Sequence, residues 1–571
     1  MVKRRELFKI GAATTLLGQM DAKAQLVFPD GFRMSMLTDP SPPVTPFVAP
    51  LNIMPVAQPV NPHELVPGPD PLRHQRYNEF KPRKFYVQHL TEFKHVYHPE
   101  GPYANGSWAW GFNGMTPGET FHVRYGEPIF VRRFNDLPQL GQANVRFALP
   151  SSSIHLHNGH TASESDGIPQ DFTNPGEFWD HHYASIYAGM DQREAMGTLW
   201  YHDHRLDFTG PNVYAGLTGF YLLFDDLDSG NERDPNPHAF RLPSGKYDVP
   251  LILHDVKFDQ NGQPVWDFFN PEPSPSATPS EQYTTTGMLG DRFTVNRGIQ
   301  PYFKVEARKY RLRVLNGGPS RFYELSLRKK TANGYADSKV KFHVISNDGN
   351  LLPRPLYTDG IRVAVAQRHD IIVDFSQFKP GDQLYLVNQL EMREDGAGPT
   401  GRNLANGDLI MRFDVEPSLQ PDLSRIPARL RELPPINMDE VRRERVFNFD
   451  YDNGLWTING KLMDPNRVDA KIEKGSAEIW TWRNGGNAWS HPIHTHFEEF
   501  QILEINGKPI PADSVLHSRK DVIELGPNDE VKFFSRWRDF EGKHVMHCHN
   551  VVHEDHAMMI RWDIVPPGQG D

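Results

Sequence analysis

On a β-strand, residues i and i+2 point to the same face, so a His-x-His pair aims two imidazoles at one spot. This chain has four such pairs: His155/His157, His202/His204, His494/His496 and His547/His549. With 26 histidines among 571 residues, chance places about one pair of this spacing. Two pairs lie in the N-terminal part of the chain, two lie near its C-terminus, and the stretch between has none. A fold that gathers them must be built of strands and must bring the two ends of the chain to one interface. Neutral imidazole suits copper, zinc, iron and nickel. Eight imidazoles are too many for one ion, so a polynuclear cluster is expected. Scattered surface or core histidines would explain any single pair, but not all four.

The surrounding text reads as strands. From about Phe85 onward, short alternating runs such as KFYVQHLTEF, FHVRYGEPIFVRRF, DVPLILHDVKF, RHDIIVDF, AEIWTWR and EVKFFSRW are separated by Gly, Pro, Asn and Asp. Period-two alternation broken by turn residues is the signature of antiparallel sandwiches. Helical patterns are scarce, and LSRIPARLREL, near 423–433, is the best candidate for a helical turn. At 571 residues the chain is too long for one hydrophobic core. Seams are expected at the acidic, turn-rich FDDLDSGNERDPNPH and at the Pro- and charge-rich EPSLQPDLSRIPARLRELPP. The resulting division is a targeting segment over 1–24, a Pro-rich strap over 25–84, three sandwich domains over 85–235, 236–420 and 446–571, and a linker over 421–445. The strap should run extended over the surface.

The amino terminus carries Arg4-Arg5 followed by Leu7-Phe8-Lys9, a short apolar run and the small-x-small Ala22-Lys23-Ala24. It resembles a twin-arginine export signal, so the mature protein is expected in the periplasm or outside the cell. A disordered basic tail is the alternative. The net charge of −11, with no long basic run, argues against nucleic acid as a partner. No apolar stretch approaches the length of a membrane helix.

Cys548 is the only cysteine, so an intrachain disulfide is impossible, and a lone cysteine is ordinarily a buried hydrophobe or a reactive thiol. Its setting, HCHNVVHEDHAM over 547–558, argues otherwise. Between His547 and His549 on a strand, its sulfur faces away from both imidazoles and is free for a second metal. A thiolate, two histidines and a long axial methionine form the blue-copper ligand set. His553 and Met558 lie on a loop that can fold back to the sulfur, and His491, just before His494, is the candidate second histidine. His556 and Met559 are poorer candidates by spacing. Because Cys548 is covalently continuous with His547 and His549, an electron collected at its metal has a path of a few bonds to the cluster.

With these motifs assembled, the chain is similar to three-domain multicopper oxidases, such as bacterial spore-coat-type laccases and bilirubin oxidases. The likeness runs from about Phe85 to the end, through HLHNGH, TLWYHDH, HPIHTH and HCHNVVHEDHAM and through flanking text such as NVYAGLTGFYLL and NDGNLLPRPL. It implies three cupredoxin-like Greek-key β-sandwich domains in series, and a monomer. It implies four copper ions: a type 2 ion on His155 and His494, a type 3 pair on His157, His202, His204, His496, His547 and His549, and a type 1 ion on His491, Cys548, His553 and axial Met558. Asp166 and Glu554 match acids that handle protons in the family, and making water from dioxygen in a buried site does consume protons. The implied reaction couples four one-electron oxidations to reduction of dioxygen to water. Donors in reach of that reading are phenols, aromatic amines, bilirubin-like pigments and Mn(II), each giving its electron at the edge of a type 1 histidine.

Only 16 methionines occur and none of the sequence is Met-rich, which argues against a dedicated cuprous-ion oxidase. A copper nitrite reductase shares the domain type but lacks four His-x-His pairs, and a copper-sequestering or structural protein would not need a complete ligand set. Glu498-Glu499, after His496, is expected to form a solvated ion pair, one acid facing inward and one outward.

Overall fold

The computed structural model describes residues 39–266, 285–331, 334–486 and 488–571. The proposed export signal lies outside the described residues. The chain folds into three cupredoxin-like β-units, each a pair of packed sheets among the described residues. Strand Lys84–His95 shows the inward-outward pattern that builds them: Tyr86, Gln88 and Leu90 are buried, while Phe85, Val87 and His89 are only partly covered.

The first unit pairs the sheet of Ser107–Phe112, Lys84–His95, Ile129–Asn135 and Phe178–Tyr183 with that of Phe121–Arg124, Thr218–Phe224, Thr198–Asp203 and Ile154–His157. Trp110, Phe112, Phe121, Ile129, Leu199 and Tyr201 fill the space between. The second unit buries an aliphatic core that includes Leu251, Leu312, Val314, Leu325, Ile371 and Leu386. The third encloses Phe449, Trp456, Trp480, Trp482, Phe533, Trp537 and Trp562. Each such side chain contributes about 1.5–3 kcal/mol on burial.

Pairing is not purely antiparallel. Lys84–His95 runs parallel to Ile129–Asn135, Asp248–Val256 to Lys309–Asn316, and Val441–Asp452 to Ser476–Asn484. A Greek-key path lays strands beside others that are not their chain neighbours, which short-range alternation cannot reveal. The helical turn expected near 423–433 does not form; those residues carry no helix. Pro427 interrupts the stretch and Pro434 follows it, each lacking the donor a helix would use.

Residues 47–60 of the Pro-rich segment run extended from the second unit to the first, and two 3-10 turns not expected from the sequence, Pro62–Glu64 and Pro71–Arg73, follow. The amides of Phe47 and Leu51 donate to the carbonyls of Gln300 and Tyr302 at 2.8 and 2.7 Å, and those of Ala57 and Val60 donate to Thr120 and Phe85 at 2.9 and 2.7 Å. The first and third units also meet directly, with Ala162, Ala184 and Ile186 packed into the third unit's aromatic core. That contact places the two histidine-bearing regions face to face.

Candidate metal centres

Strand Ile154–His157 lies antiparallel to Thr198–Asp203 with His155 opposite His202. In the third unit, His491–Thr495 lies antiparallel to Gly542–Cys548 with His494 opposite His547. The two ladders interleave: His155 stacks on His496 and His157 on His494, each with ring centroids 3.8 Å apart. All eight imidazoles of the four pairs are buried, none more than 1% exposed.

The nitrogens that face one another offer lone pairs to a cation. His204 Nδ1 lies 3.1 Å from Glu554 Oε1, and His496 Nδ1 lies 2.7 Å from Asp166 Oδ2. Asp166 accepts the Nδ1–H of His496, and the charge of Glu554, with the Thr209 hydroxyl 3.3 Å away, favours the His204 proton on Nδ1, which leaves lone pairs on the two Nε2 atoms, 3.1 Å apart. Further buried nitrogens lack any partner among the described residues: Nε2 of His155, His494 and His547, and both nitrogens of His549. Orphaned buried acceptors are costly unless something coordinates them. Burial, reinforced by repulsion from neighbouring imidazoles, holds His155, His157, His202, His494 and His496 well below the ordinary histidine value and pushes His549 down to about 3. Neutral imidazole is the ligand form.

Most of the rings are aimed by a contact at the other nitrogen. His155, His202 and His494 direct Nδ1 at the carbonyl oxygens of Asp166, Asp203 and Asp521, at 2.6, 2.7 and 2.9 Å. His547 Nδ1 lies 3.0 Å from Glu554 Oε2, so Glu554 serves two rings at once. Asp166 ends the short helix Ser163–Asp166, held close to the first ladder because Gly167 adopts a left-handed conformation, where a Cβ would stand 2.2 Å from the Ile154 carbonyl oxygen.

On the opposite face of strand Gly542–Cys548, the Cys548 sulfur enters the third unit's core. It lies 3.5 Å from both His491 Nδ1 and His553 Nδ1, which are 3.1 Å from each other. His553 Nε2 lies 2.6 Å from the Thr286 carbonyl oxygen, which takes its N–H and leaves Nδ1 as an acceptor. Burial pushes the Cys548 thiol well above its usual value and His491 down to about 3. A thiolate here therefore needs a bound cation, and the donor set of one sulfur and two imidazoles suits copper. Met558 packs in the same core cluster as Cys548, whereas Met559 packs beside Met463 and Val545.

Glu498 and Glu499 are not solvated. Both side chains are buried, Glu498 paired with Arg538 at 2.9 Å and Glu499 with Arg519 at 2.6 Å. The chain leaves the strand after Thr495, and Phe497 takes a positive φ, so strand alternation does not govern these two acids. Sequence reasoning also missed Asp521, whose Oδ2 lies 2.6 Å from His157 Nε2, and Trp456, stacked on His553 with centroids 3.7 Å apart. Neither stands within a ligand motif.

A sequence profile described as Multicopper oxidase matches residues 435–568, and a second profile of the same description matches residues 98–227. The chain is 32% identical over 537 residues to a bilirubin oxidase of Albifimbria verrucaria, covering 91% of this chain and 81% of that protein. It is 30% identical over 547 residues to a laccase of Bacillus subtilis, covering 88% of this chain and 98% of that one. Among solved structures, a laccase from Pediococcus acidilactici shares the fold, with a TM-score of 0.70 at 22% identity over 92% of this chain and 95% of the other. The chain belongs to the multicopper oxidase family, copper-dependent oxidoreductases that carry electrons from a reducing substrate to dioxygen.

Proposed function

We propose that this chain is an exported, monomeric laccase-like oxidase with one type 1, one type 2 and two type 3 copper ions. His491, Cys548, His553 and Met558 hold the first, His155 and His494 the second, and His157, His202, His204, His496, His547 and His549 the pair. The observation that carries this reading is the separation of two donor sets by one strand: a sulfur with two imidazoles on one face of Gly542–Cys548, and eight converging imidazoles on the other. Copper bound in these sets supplies a one-electron acceptor at the sulfur and a multi-electron donor to dioxygen among the imidazoles. Arg4 and Arg5 support the twin-arginine route, and no helix among the described residues is long and apolar enough to cross a membrane.

His491 and His553 are 1% and 0% exposed, so a donor need not touch either ring. Its electron crosses the covering residues, of which Trp456 lies flat on His553. Outer-sphere transfer of this kind sets few steric demands, which supports a broad donor range: phenols, aromatic amines, bilirubin-like pigments and Mn(II) as substrate. Oxygen uptake measured with one donor of each class, alongside copper counts per chain, tests the proposal. Uptake stoichiometric with four-electron reduction is expected, and full copper occupancy without uptake from any donor would leave a copper-storage protein instead.

Protons reach dioxygen through the two acids. Asp166 Oδ1 is buried without a hydrogen-bond partner among the described residues, a free oxygen beside the cluster. Burial opposes ionisation of Glu554, and the adjoining His547 and His204 more than reverse this, holding it well below the usual carboxylate value. In Glu554→Gln a single carbonyl oxygen replaces two acceptors. Reoxidation by dioxygen should slow by a factor on the order of 10², while anaerobic bleaching by the donor keeps its parental rate. Stopped-flow measurement of the two half-reactions checks this, and parental reoxidation would route the protons elsewhere.

A further inference from the structure

The middle unit supplies no His-x-His pair, yet one of its turns grips the loops around the sulfur site from outside. Strands Gln383–Met392 and Pro399–Glu416 pair antiparallel. The turn between them, residues 393–398, is closed by the Arg393 amide on the Gly398 carbonyl at 2.9 Å and by the Gly396 amide on the Arg393 carbonyl at 3.0 Å. One side of the turn meets residues 488–490, just before His491. There the Ser490 amide donates to the Ala397 carbonyl at 2.9 Å, and Arg393 Nη1 donates to the Ala488 carbonyl at 3.0 Å. The other side crosses residues 285–288. A Cβ on Gly396 would stand 2.9 Å from Gly287 Cα and from the Met288 nitrogen, and one on Gly287 would stand 2.6 Å from the Gly396 carbonyl oxygen. The crossed segment carries the Thr285 carbonyl, which accepts from Trp456 Nε1 at 3.1 Å, and the Thr286 carbonyl, 2.6 Å from His553 Nε2 and 3.1 Å from Asn550 Nδ2.

We propose that the turn over residues 393–398 clamps both histidines of the sulfur site, with Gly396 as its positioning residue, so that the middle unit sets the type 1 potential. The His491 and His553 Nδ1 atoms stand 3.1 Å apart, and each ring rides on a loop that this one turn touches. Close backbone contact is what the turn needs. Gly396 has a φ of +74° and Gly398 a φ of +143°, conformations that favour glycine. A Cβ at 398 would stand 2.9 Å from Ser490 Oγ, so neither approach leaves room for a side chain. The Thr286 carbonyl is the working end of the clamp. By accepting the His553 N–H it aims the ring and makes its other nitrogen a stronger donor. A segment pushed off Gly396 takes that carbonyl with it. The loss falls mainly on the cupric state, because thiolate and thioether are soft ligands that hold the cuprous ion.

Gly396→Ala tests this. Cupric affinity at the sulfur site should fall about 10–100-fold, which at about 59 mV per tenfold is a rise of roughly 60–120 mV in the type 1 potential. Redox titration followed at the blue band reads the shift. Gly401→Ala is the control. Gly401 lies on the same hairpin with a φ of +80°, and a Cβ there meets nothing within 4 Å. It imposes the same backbone strain without touching either loop, so its potential should stay parental; a merely structural hairpin would move both variants alike or neither. Arg393→Met, which removes the bond to Ala488 without backbone strain, should raise the potential by a smaller amount, and it decides the matter if Gly396→Ala does not fold. A parental potential in folded Gly396→Ala, or in Arg393→Met where that variant decides, overturns the proposal, as do equal shifts in Gly396→Ala and Gly401→Ala. The inference rests on the type 1 reading above; failure of that reading appears separately, as a copper-loaded parent protein without a blue band.

Discussion

Cys548→Ser should give a colourless protein with oxidase activity at background and one fewer copper ion per chain. Cys548 is the only thiol, and its sulfur stands 3.5 Å from each of two imidazole nitrogens. Burial raises the thiol's pKa, so the thiolate exists there only when a cation offsets the desolvation. A serine hydroxyl is far weaker as an acid and harder as a ligand, and it provides no sulfur orbital for charge transfer to copper. The visible band must vanish, and with it the path from the donor through residue 548 to His547 and His549. The fold should survive. A buried hydroxyl without a partner costs about 1–3 kcal/mol, against a core that keeps Trp456, Trp480, Trp482, Phe533, Trp537 and Trp562. Cluster copper stays bound because its imidazoles lie on the other face of the strand. Visible absorption, metal content and oxygen uptake on one preparation decide the matter: a blue variant would sink the assignment. Met559→Leu is the control and should stay blue, since Met559 packs away from Cys548.

Register makes these sites legible in the sequence. A strand repeats every two residues, so His-x-His pairs and the cysteine between two of them could be assigned to faces by counting, and the described strands keep those faces. Regularity also bounded what could be read. Glu498 and Glu499 lie just beyond the end of a strand, where the backbone turns at Phe497, and counting sent one of them to solvent when both are buried against arginines. The stretch near 423–433 looked helical by composition, but its prolines and its contacts with the second unit keep it extended; the Leu430 amide donates to the Pro353 carbonyl at 2.9 Å. Asp521 was illegible for a different reason. Arg519, Lys520 and Asp521 are three consecutive charged residues, a pattern that usually marks a solvated surface, and all three are buried because partners come from the other two units. No local signal encodes a partner about 150 residues away.

The copper-free protein should lose its structure on mild acidification. Nine imidazoles are held below their ordinary value by burial: His155, His157, His202, His204, His491, His494, His496, His549 and His553. In the unfolded chain each takes a proton near pH 6.5; in the folded chain all of them but His204, which the Glu554 carboxylate partly supports, resist until well below that. The unfolded state therefore binds more protons once the pH drops under about 6.5, and linkage makes stability fall as the pH falls. Above that value the penalty is absent. One pH unit lower, each of the eight strongly shifted groups costs about 1.4 kcal/mol, and together they cost on the order of 10 kcal/mol. That matches the whole stability of an ordinary folded protein, roughly 5–15 kcal/mol. Intrinsic tryptophan fluorescence of the copper-free chain should thus report opening of the interface between the first and third units between about pH 6 and pH 5. Copper competes with protons for the same lone pairs and binds only the folded arrangement, so the loaded protein should hold its structure at least about one unit further into acid. A copper-free protein whose melting temperature is flat from pH 7 to pH 5 would mean that these imidazoles already reach water, and the buried cluster described here would not stand.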